Sequence, residues 1–351
     1  MALANSIAQL KLNITVFTEN GQSVSVAVQN LQPHRDDLVA LYAPADADPR
    51  TVVPINWVNV TRISPSYLSS GSAELPFKLL NFRAPFVFRL LKNGTFYPIV
   101  VAESPQIANS ISTAPSQVHL ALHADGDSMV AQWISGSSMS QKLSFWTKTL
   151  RGVTQSSSIS YTSDMMCGAP ATTFGYISPG YIHRALIPLK TLPPNTRVSY
   201  QAGSPDLGMS QTFSFITPPL PGGPGASPNG ALKFLIFNDV GQADPILFNN
   251  TRCPPWCPSG FNWGIDYTLN STKLTPYLTW EQDVQLGLLV GDVSYANGYA
   301  ADWDIFGYQF EPAFAQWPLM TANGNHERDY PMTGMSAYAP ICRVKGAGCR
   351  V

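Results

Sequence analysis

Leu232-Lys-Phe-Leu-Ile-Phe-Asn-Asp-Val-Gly241 and Leu286-Gly-Leu-Leu-Val-Gly-Asp-Val-Ser-Tyr295 decide how the second half of the chain reads. Each opens with a nearly continuous apolar run and closes on a carboxylate, Asp239 in the first and Asp292 in the second. A run without alternation is the pattern of a strand buried on both faces, as in a parallel sheet covered by other layers. The stretch Tyr267 to Gln285 between them is expected to be a helical crossover. Strand, crossover, strand opens an α/β layer at residue 231. A third segment, Trp317-Pro-Leu-Met320 followed by Gly324-Asn-His-Glu327, repeats the arrangement of an apolar stretch before polar residues. Ligands of open α/β sheets gather beyond the carboxyl ends of the strands. The three segments therefore place Asp239, Asp292, Tyr295, Asn325 and His326 around one crevice. Carboxylates, an amide oxygen and a phenol suit hard cations such as iron, manganese, magnesium or zinc. A carboxylate such as Asp292 can bridge two ions about 3.5–4 Å apart, the spacing of two-metal phosphoryl chemistry.

The chain before residue 219 follows a different rule. Leu10 to Val16, Ser23 to Val28, Asp37 to Tyr42 and Phe96 to Val101 alternate or run as short strands between Pro, Asp and Ser clusters. Residues 1–113 are expected to form a small antiparallel β-sandwich. A second sandwich is expected over 114–218, from Gln117 to Leu122, Ser128 to Trp133, and Gln211 to Ile216. Its Trp133 is the candidate core tryptophan. Tyr200, at the end of Leu192-Pro-Pro-Asn-Thr-Arg-Val-Ser-Tyr200, suggests the tyrosine corner of immunoglobulin and fibronectin III sandwiches. The Pro- and Gly-rich stretch 219–230 can hold neither a helix nor a sheet interior and reads as a linker to 231–351.

Composition narrows the function. Charged residues are 12% of the 351 and the formal net charge is −1, with no Lys/Arg block, which argues against nucleic acid as a partner. No stretch approaches the roughly 18 consecutive apolar residues of a membrane span. Five Asn-x-Ser/Thr sequons, at Asn13, Asn59, Asn93, Asn249 and Asn270, favour a secreted glycoprotein, although Met1 to Gln9 has no basic start or apolar run of a signal peptide. The cysteines Cys167, Cys253, Cys257, Cys342 and Cys349 are odd in number; Cys253-Pro-Pro-Trp-Cys257 reads as a local disulfide or structural loop rather than half of a zinc site.

The ordered motifs of the α/β layer resemble the metallophosphoesterase superfamily and, within it, the large plant or algal purple acid phosphatases. Most of that superfamily has Asp-x-His at the first segment. Here Gly241 stands in place of the His, and Tyr295 follows Asp292 by three residues. That paired exchange of an imidazole for a phenolate marks the purple branch. Gly324-Asn-His-Glu-Arg-Asp-Tyr-Pro331 and Asp164-Met-Met-Cys-Gly-Ala-Pro-Ala171 also look like the plant enzymes. The resemblance implies hydrolysis of phosphate monoesters by a dinuclear centre of Fe(III) and a divalent metal (zinc, manganese or iron). Asp239, Asp292 and Tyr295 would hold the ferric ion, Asp292 would bridge, and Asn325 would bind the second ion. His326 would be the catalytic proton donor or phosphate contact, and Glu327 would orient it. The family adds Val-x-x-His and Gly-His-x-His segments further on, and no histidine follows His326 in the remaining 351 − 326 = 25 residues. These 351 residues are therefore expected to bind metal poorly and to be weak or inactive. The alternative is a non-catalytic secreted glycoprotein whose sandwiches serve binding or homo-oligomerisation. A phosphodiesterase or nucleotidase of the same superfamily is disfavoured by Gly241 and Tyr295.

Overall fold

The structure, a computed structural model, describes residues 7–94, 97–166, 168–219, 233–242, 284–296 and 298–327. They divide into two compact units. One holds 7–112 with Thr173–Tyr176, and the other holds 113–172, 177–242 and 284–327.

The first unit contains β1 (Ala8–Leu12), β2 (Val16–Phe17), β3 (Ser23–Asn30), β4 (Leu38–Tyr42), β5 (Asn56–Asn59), β6 (Ser72–Lys78), β7 (Val87–Lys92), β8 (Ile99–Glu103) and β9 (Ala108–Asn109). Its two antiparallel sheets run β1-β3-β6 and β5-β4-β7-β8. Alternation in β3 buries Val24, Val26 and Val28 while their neighbours face outward, as period-2 geometry requires. Two short helices absent from the sequence reading, α1 (Val60–Ile63) and α2 (Tyr67–Ser70), lie between β5 and β6. Asn59 starts α1 as its N-cap, its Oδ1 accepting from the Arg62 N–H at 3.1 Å.

The second unit begins with β10 (Ser116–Leu122), β11 (Ser128–Ser135), β12 (Lys142–Trp146), β13 (Arg151–Gln155), β14 (Ser157–Ile159), β15 (Tyr181–Pro188), β16 (Arg197–Ser204), β17 (Gly208–Met209) and β18 (Phe213–Ile216). Sheet β10-β11-β15-β14 is antiparallel, as is the sheet built from β13-β12-β16-β17 with β18 also on β16. Trp133 is fully buried in the core, its Nε1–H donating to Gln141 Oε1 at 2.6 Å. It stacks on the buried His183, ring centroids 5.6 Å apart. His183 Nε2 lies 2.9 Å from the Ser137 carbonyl, which can only accept, so that nitrogen carries the proton and Nδ1 accepts from Ser156 Oγ at 3.1 Å. Burial holds this imidazole below its usual pKa.

The same unit then changes architecture. β19 (Phe234–Phe237), β20 (Leu286–Val290) and β21 (Leu319–Ala322) form a parallel sheet in that order. Between β20 and β21 lies α3 (Ala300–Phe314), a helix the sequence reading did not contain. Its signal is Phe306, Phe310 and Phe314, four residues apart, whose successive rings lie at centroid distances of 4.7 and 5.0 Å. They pack with Leu289, Leu319 and Trp317, and with Leu235 and Phe237 of β19. The expectation of strands buried on both faces is corrected here: Phe234, Ile236, Val290 and Met320 are exposed, so among the described residues α3 covers one face of the sheet. The expected crossover over 267–285 lies outside the described residues except at its last two positions, as do most of the linker and all five cysteines.

A second correction concerns Tyr200. Its hydroxyl makes no corner within the sandwich but donates to the buried Ala315 carbonyl at the end of α3, 2.7 Å away. Other bonds join the same two parts. Val118 N–H donates to Glu311 at 3.2 Å, Gln117 Nε2–H donates to Asp304 at 2.5 Å, and Leu120 bridges to Pro318. Ala315 belongs to the sandwich core. The sandwich thus forms the floor on which α3, and through it the parallel sheet, is laid.

Candidate metal centre

The exits of the parallel strands carry the site. Beyond β19 and β20 the two chains continue side by side, with Val240 N–H donating to the Asp292 carbonyl at 3.3 Å and Gly241 N–H to the Val293 carbonyl at 2.9 Å. Asp239 and Asp292 are therefore set next to each other by parallel register. Both, with Tyr295, have left-handed backbones, φ +54°, +51° and +51°. That conformation is tolerated by Asp and costly for Tyr, on the order of 1–3 kcal/mol. Strain of this kind persists where the surroundings dictate it, and here it aims three oxygen donors at one point. The Tyr295 hydroxyl donates to Asp239 Oδ1 and stands 3.4 Å from Asp292 Oδ2. Asn238 Nδ2–H donates to the other oxygen of Asp239.

Two glycines make the close approach possible. Gly291, at φ +103°, has no room for a side chain, since a Cβ would lie 2.8 Å from Gly324 Cα. A Cβ on Gly324 would overlap Asp292 Oδ1 and the Asp292 nitrogen. The loop after β21 thereby lies directly against Asp292, whose Oδ1 accepts from the His326 backbone N–H at 3.0 Å. The His326 ring rests on Tyr295, centroids 4.4 Å apart. Asn325 occupies the same loop and is exposed. Glu327 holds the backbones of two loops: Asp292 N–H and Gly324 N–H donate to its Oε2 at 2.9 and 2.7 Å, and Val293 N–H to its Oε1 at 2.7 Å. The sequence reading, which had Glu327 orienting His326, missed this backbone clamp; the two glycines were the available signal.

Burial first, then the hydrogen bond and charge of Asp239 and the charge of Asp292, push the Tyr295 phenol well above its ordinary pKa. Without a cation the phenol is thus a neutral donor bridging two carboxylates. Replacing its proton by a metal ion would satisfy all three oxygens at once, and the donor set fits one hard cation. It does not supply a nitrogen-rich second position: among the described residues no three of His, Cys, Asp and Glu are gathered for a metal.

Two antiparallel sandwiches thus precede a partial α/β layer with a parallel sheet and oxygen donors at its strand exits. The model of the Fn3-like domain from purple acid phosphatase matches residues 11–110, and that of the purple acid phosphatase N-terminal domain matches 115–217. The chain belongs to the purple acid phosphatase family. It is 31% identical over 333 residues to an Arabidopsis thaliana protein named "Probable inactive purple acid phosphatase 27", covering 89% of this chain and 51% of that one. It is 31% identical over 355 residues to "Probable inactive purple acid phosphatase 1" of the same plant, covering 94% and 55%. The solved purple acid phosphatase PPD1 from yellow lupin (Lupinus luteus) seeds superposes with a TM-score of 0.79 at 27% identity, over 95% of this chain and 59% of that one. The chain thus spans about half the length of the curated relatives it matches.

Proposed function

We propose that the α/β layer carries the first part of a phosphate-monoester hydrolase centre, and that residues 1–351 by themselves are weak or inactive. The observation that carries this is the single point shared by Tyr295, Asp239 and Asp292, drawn from the exits of two adjacent parallel strands. Asp239, Asp292 and Tyr295 would hold Fe(III); Asp292 and Asn325 would face a divalent ion, zinc, manganese or iron. When bound, such a pair supplies charge stabilisation to a phosphoryl group and a hydroxide at low pH. The chain's own residues hold the rest of the site. Tyr295 would release its phenol proton to solvent on binding the ion, and His326, its ring tilted against that of Tyr295, would pass a proton to the leaving oxygen of a phosphomonoester. Weakness follows from the donor count. Catalytic metal positions of the zinc type keep three protein ligands, whereas the second ion would have two from these residues. The word "inactive" in the names of two relatives supports the same reading.

The test is to purify residues 1–351 with iron and zinc supplied, and to measure metal content, visible absorption and hydrolysis of an aryl phosphate at acidic pH. The expected result is substoichiometric iron, abolished by Tyr295→Phe and by Asp292→Asn, with little turnover. Iron retained in both variants would refute the site. Two metals per chain with full turnover would refute the inactivity. Entry into the secretory pathway belongs to the same proposal. Asn13 and Asn93 are exposed sequons and Asn59 is half-buried, while Asn249 and Asn270 lie outside the described residues. A glycosidase-sensitive mobility shift after secretion from a eukaryotic host checks it.

A further inference from the structure

We infer that Glu327 is the positioning residue of this site: its carboxylate locks the loops after β20 and β21 together and sets the backbone from which Asp292 reaches the centre. One carboxylate takes three backbone N–H groups, two from the β20 exit (Asp292 and Val293) and one from the β21 exit (Gly324). In return Asp292 Oδ1 takes the N–H of His326, the residue next to Glu327. The two acids therefore cross. Each accepts from the other's loop, and the pair closes a ring that pins Asp292 at φ +51° between Gly291 and Gly324.

The consequence lies in how the oxygens are shared out. Asp292 Oδ1 is occupied by the backbone of the next loop, so Oδ2 is the atom turned to Tyr295. Glu327 has both oxygens on amides. It is therefore neither a metal ligand nor a proton donor, although it adjoins the proposed catalytic His326. Its effect on the point shared by Asp239 and Tyr295 passes through Asp292, while the Gly324 N–H ties it to the loop that carries Asn325 and His326. Carboxylate is the chemistry required, because all three partners are donors. A glutamine at this position would present an NH2 to at least one of them, and an apolar side chain would leave three N–H groups facing a void. Neighbours that orient a ligand in this way change metal affinity by about 10–100-fold when removed.

The role toward a metal rests on the reading in the preceding section; the role toward the backbone does not, and the experiment separates them. Residues 1–351 are prepared metal-free as wild type, Glu327→Gln, Asp239→Asn, Asp292→Asn and the Asp292→Asn/Glu327→Gln double variant. Amide hydrogen exchange is followed by mass spectrometry, and the Val293 and Gly324 amide protons by NMR with selective 15N-valine and 15N-glycine labelling. Mn2+ binding is then titrated by electron paramagnetic resonance. In Glu327→Gln, exchange across 291–294 and 323–326 is expected to rise about tenfold or more. The two amide resonances move upfield as they leave the carboxylate, and exchange in β10 to β18 stays unchanged. Mn2+ affinity falls about tenfold, and in the Asp292→Asn background Glu327→Gln adds nothing further. Unaltered amides in Glu327→Gln overturn the inference. So does faster exchange throughout the unit, which would make Glu327 a general stabiliser, and so does a full additional loss of Mn2+ binding in the double variant. If Mn2+ binding ignores Asp239→Asn and Asp292→Asn while the amides respond as described, the metal reading fails and the positioning of Asp292 by Glu327 stands.

Discussion

Replacing Tyr200 by Phe removes one oxygen from the joint between the second sandwich and the parallel layer. The ring keeps its contacts with Phe213 and Phe215, at centroid distances of 5.8 and 6.1 Å, so the change isolates the hydroxyl. What is lost is the 2.7 Å bond to the Ala315 carbonyl. Ala315 is fully buried, and carbonyls at helix C-termini have no partner within their own helix. The cost is therefore that of a stranded acceptor, about 1–3 kcal/mol, rather than the smaller net value of an average hydrogen bond. Burial keeps the Tyr200 phenol far above its ordinary pKa, so it donates at every working pH and the loss should be the same at pH 5 and pH 8. Urea denaturation gives the free-energy change, and hydrogen exchange locates it. The C-terminal turn of α3 and the segment leading to Leu319 should lose protection, and the first unit should not. A destabilisation below about 0.5 kcal/mol, within the range of a neutral surface change, with α3 protection intact, would refute the claim that this hydroxyl joins the two layers.

Gly324→Ala should dismantle the site without unfolding the sandwich, since its Cβ would overlap Asp292 Oδ1 and the Asp292 nitrogen; exchange at 291–294 and loss of residual iron are the readouts. Overpacking of this kind costs about 1–3 kcal/mol locally. Glu311→Gln should flatten the pH dependence of the second unit. Burial between α3 and β10 pushes the Glu311 carboxyl from 4.5 up to about 7, partly offset by the Val118 and Gln117 N–H groups. The folded state thus binds more protons than the unfolded one between pH 4.5 and 7, and this contribution to stability is full below the lower value and fades as pH rises to 7. That displacement caps the effect at about 3 kcal/mol. Denaturation midpoints at pH 4.5, 6 and 8 check it, against the opposite slope from His119 and His183, whose buried neutral rings destabilise the fold as pH falls below about 6.5.

Local pattern determined much of this protein. Period-2 alternation marked strands such as β3 and β10 of the two sandwiches, because a strand with one face on a core alternates. An unbroken apolar run marked β19 and β20, and the carboxylate after each marked the strand exits where parallel register sets Asp239 beside Asp292. The order of Asp239, Asp292, Tyr295 and His326 after those runs was enough to gather them, since the ends of neighbouring parallel strands cannot be far apart. Tertiary structure alone decided the rest. Tyr200 sits in a sequence that fits a tyrosine corner, and its hydroxyl instead meets a carbonyl 115 residues later, a pairing no local pattern encodes. α3 was hidden because aromatic residues at i, i+4 and i+8 fit a helix and also fit irregular buried chain. Glu327 could be placed beside the site by its position after His326. That its three partners are backbone N–H groups from two loops follows from left-handed φ values and glycine contacts, which exist once the strands are paired and the loops after them have been brought together.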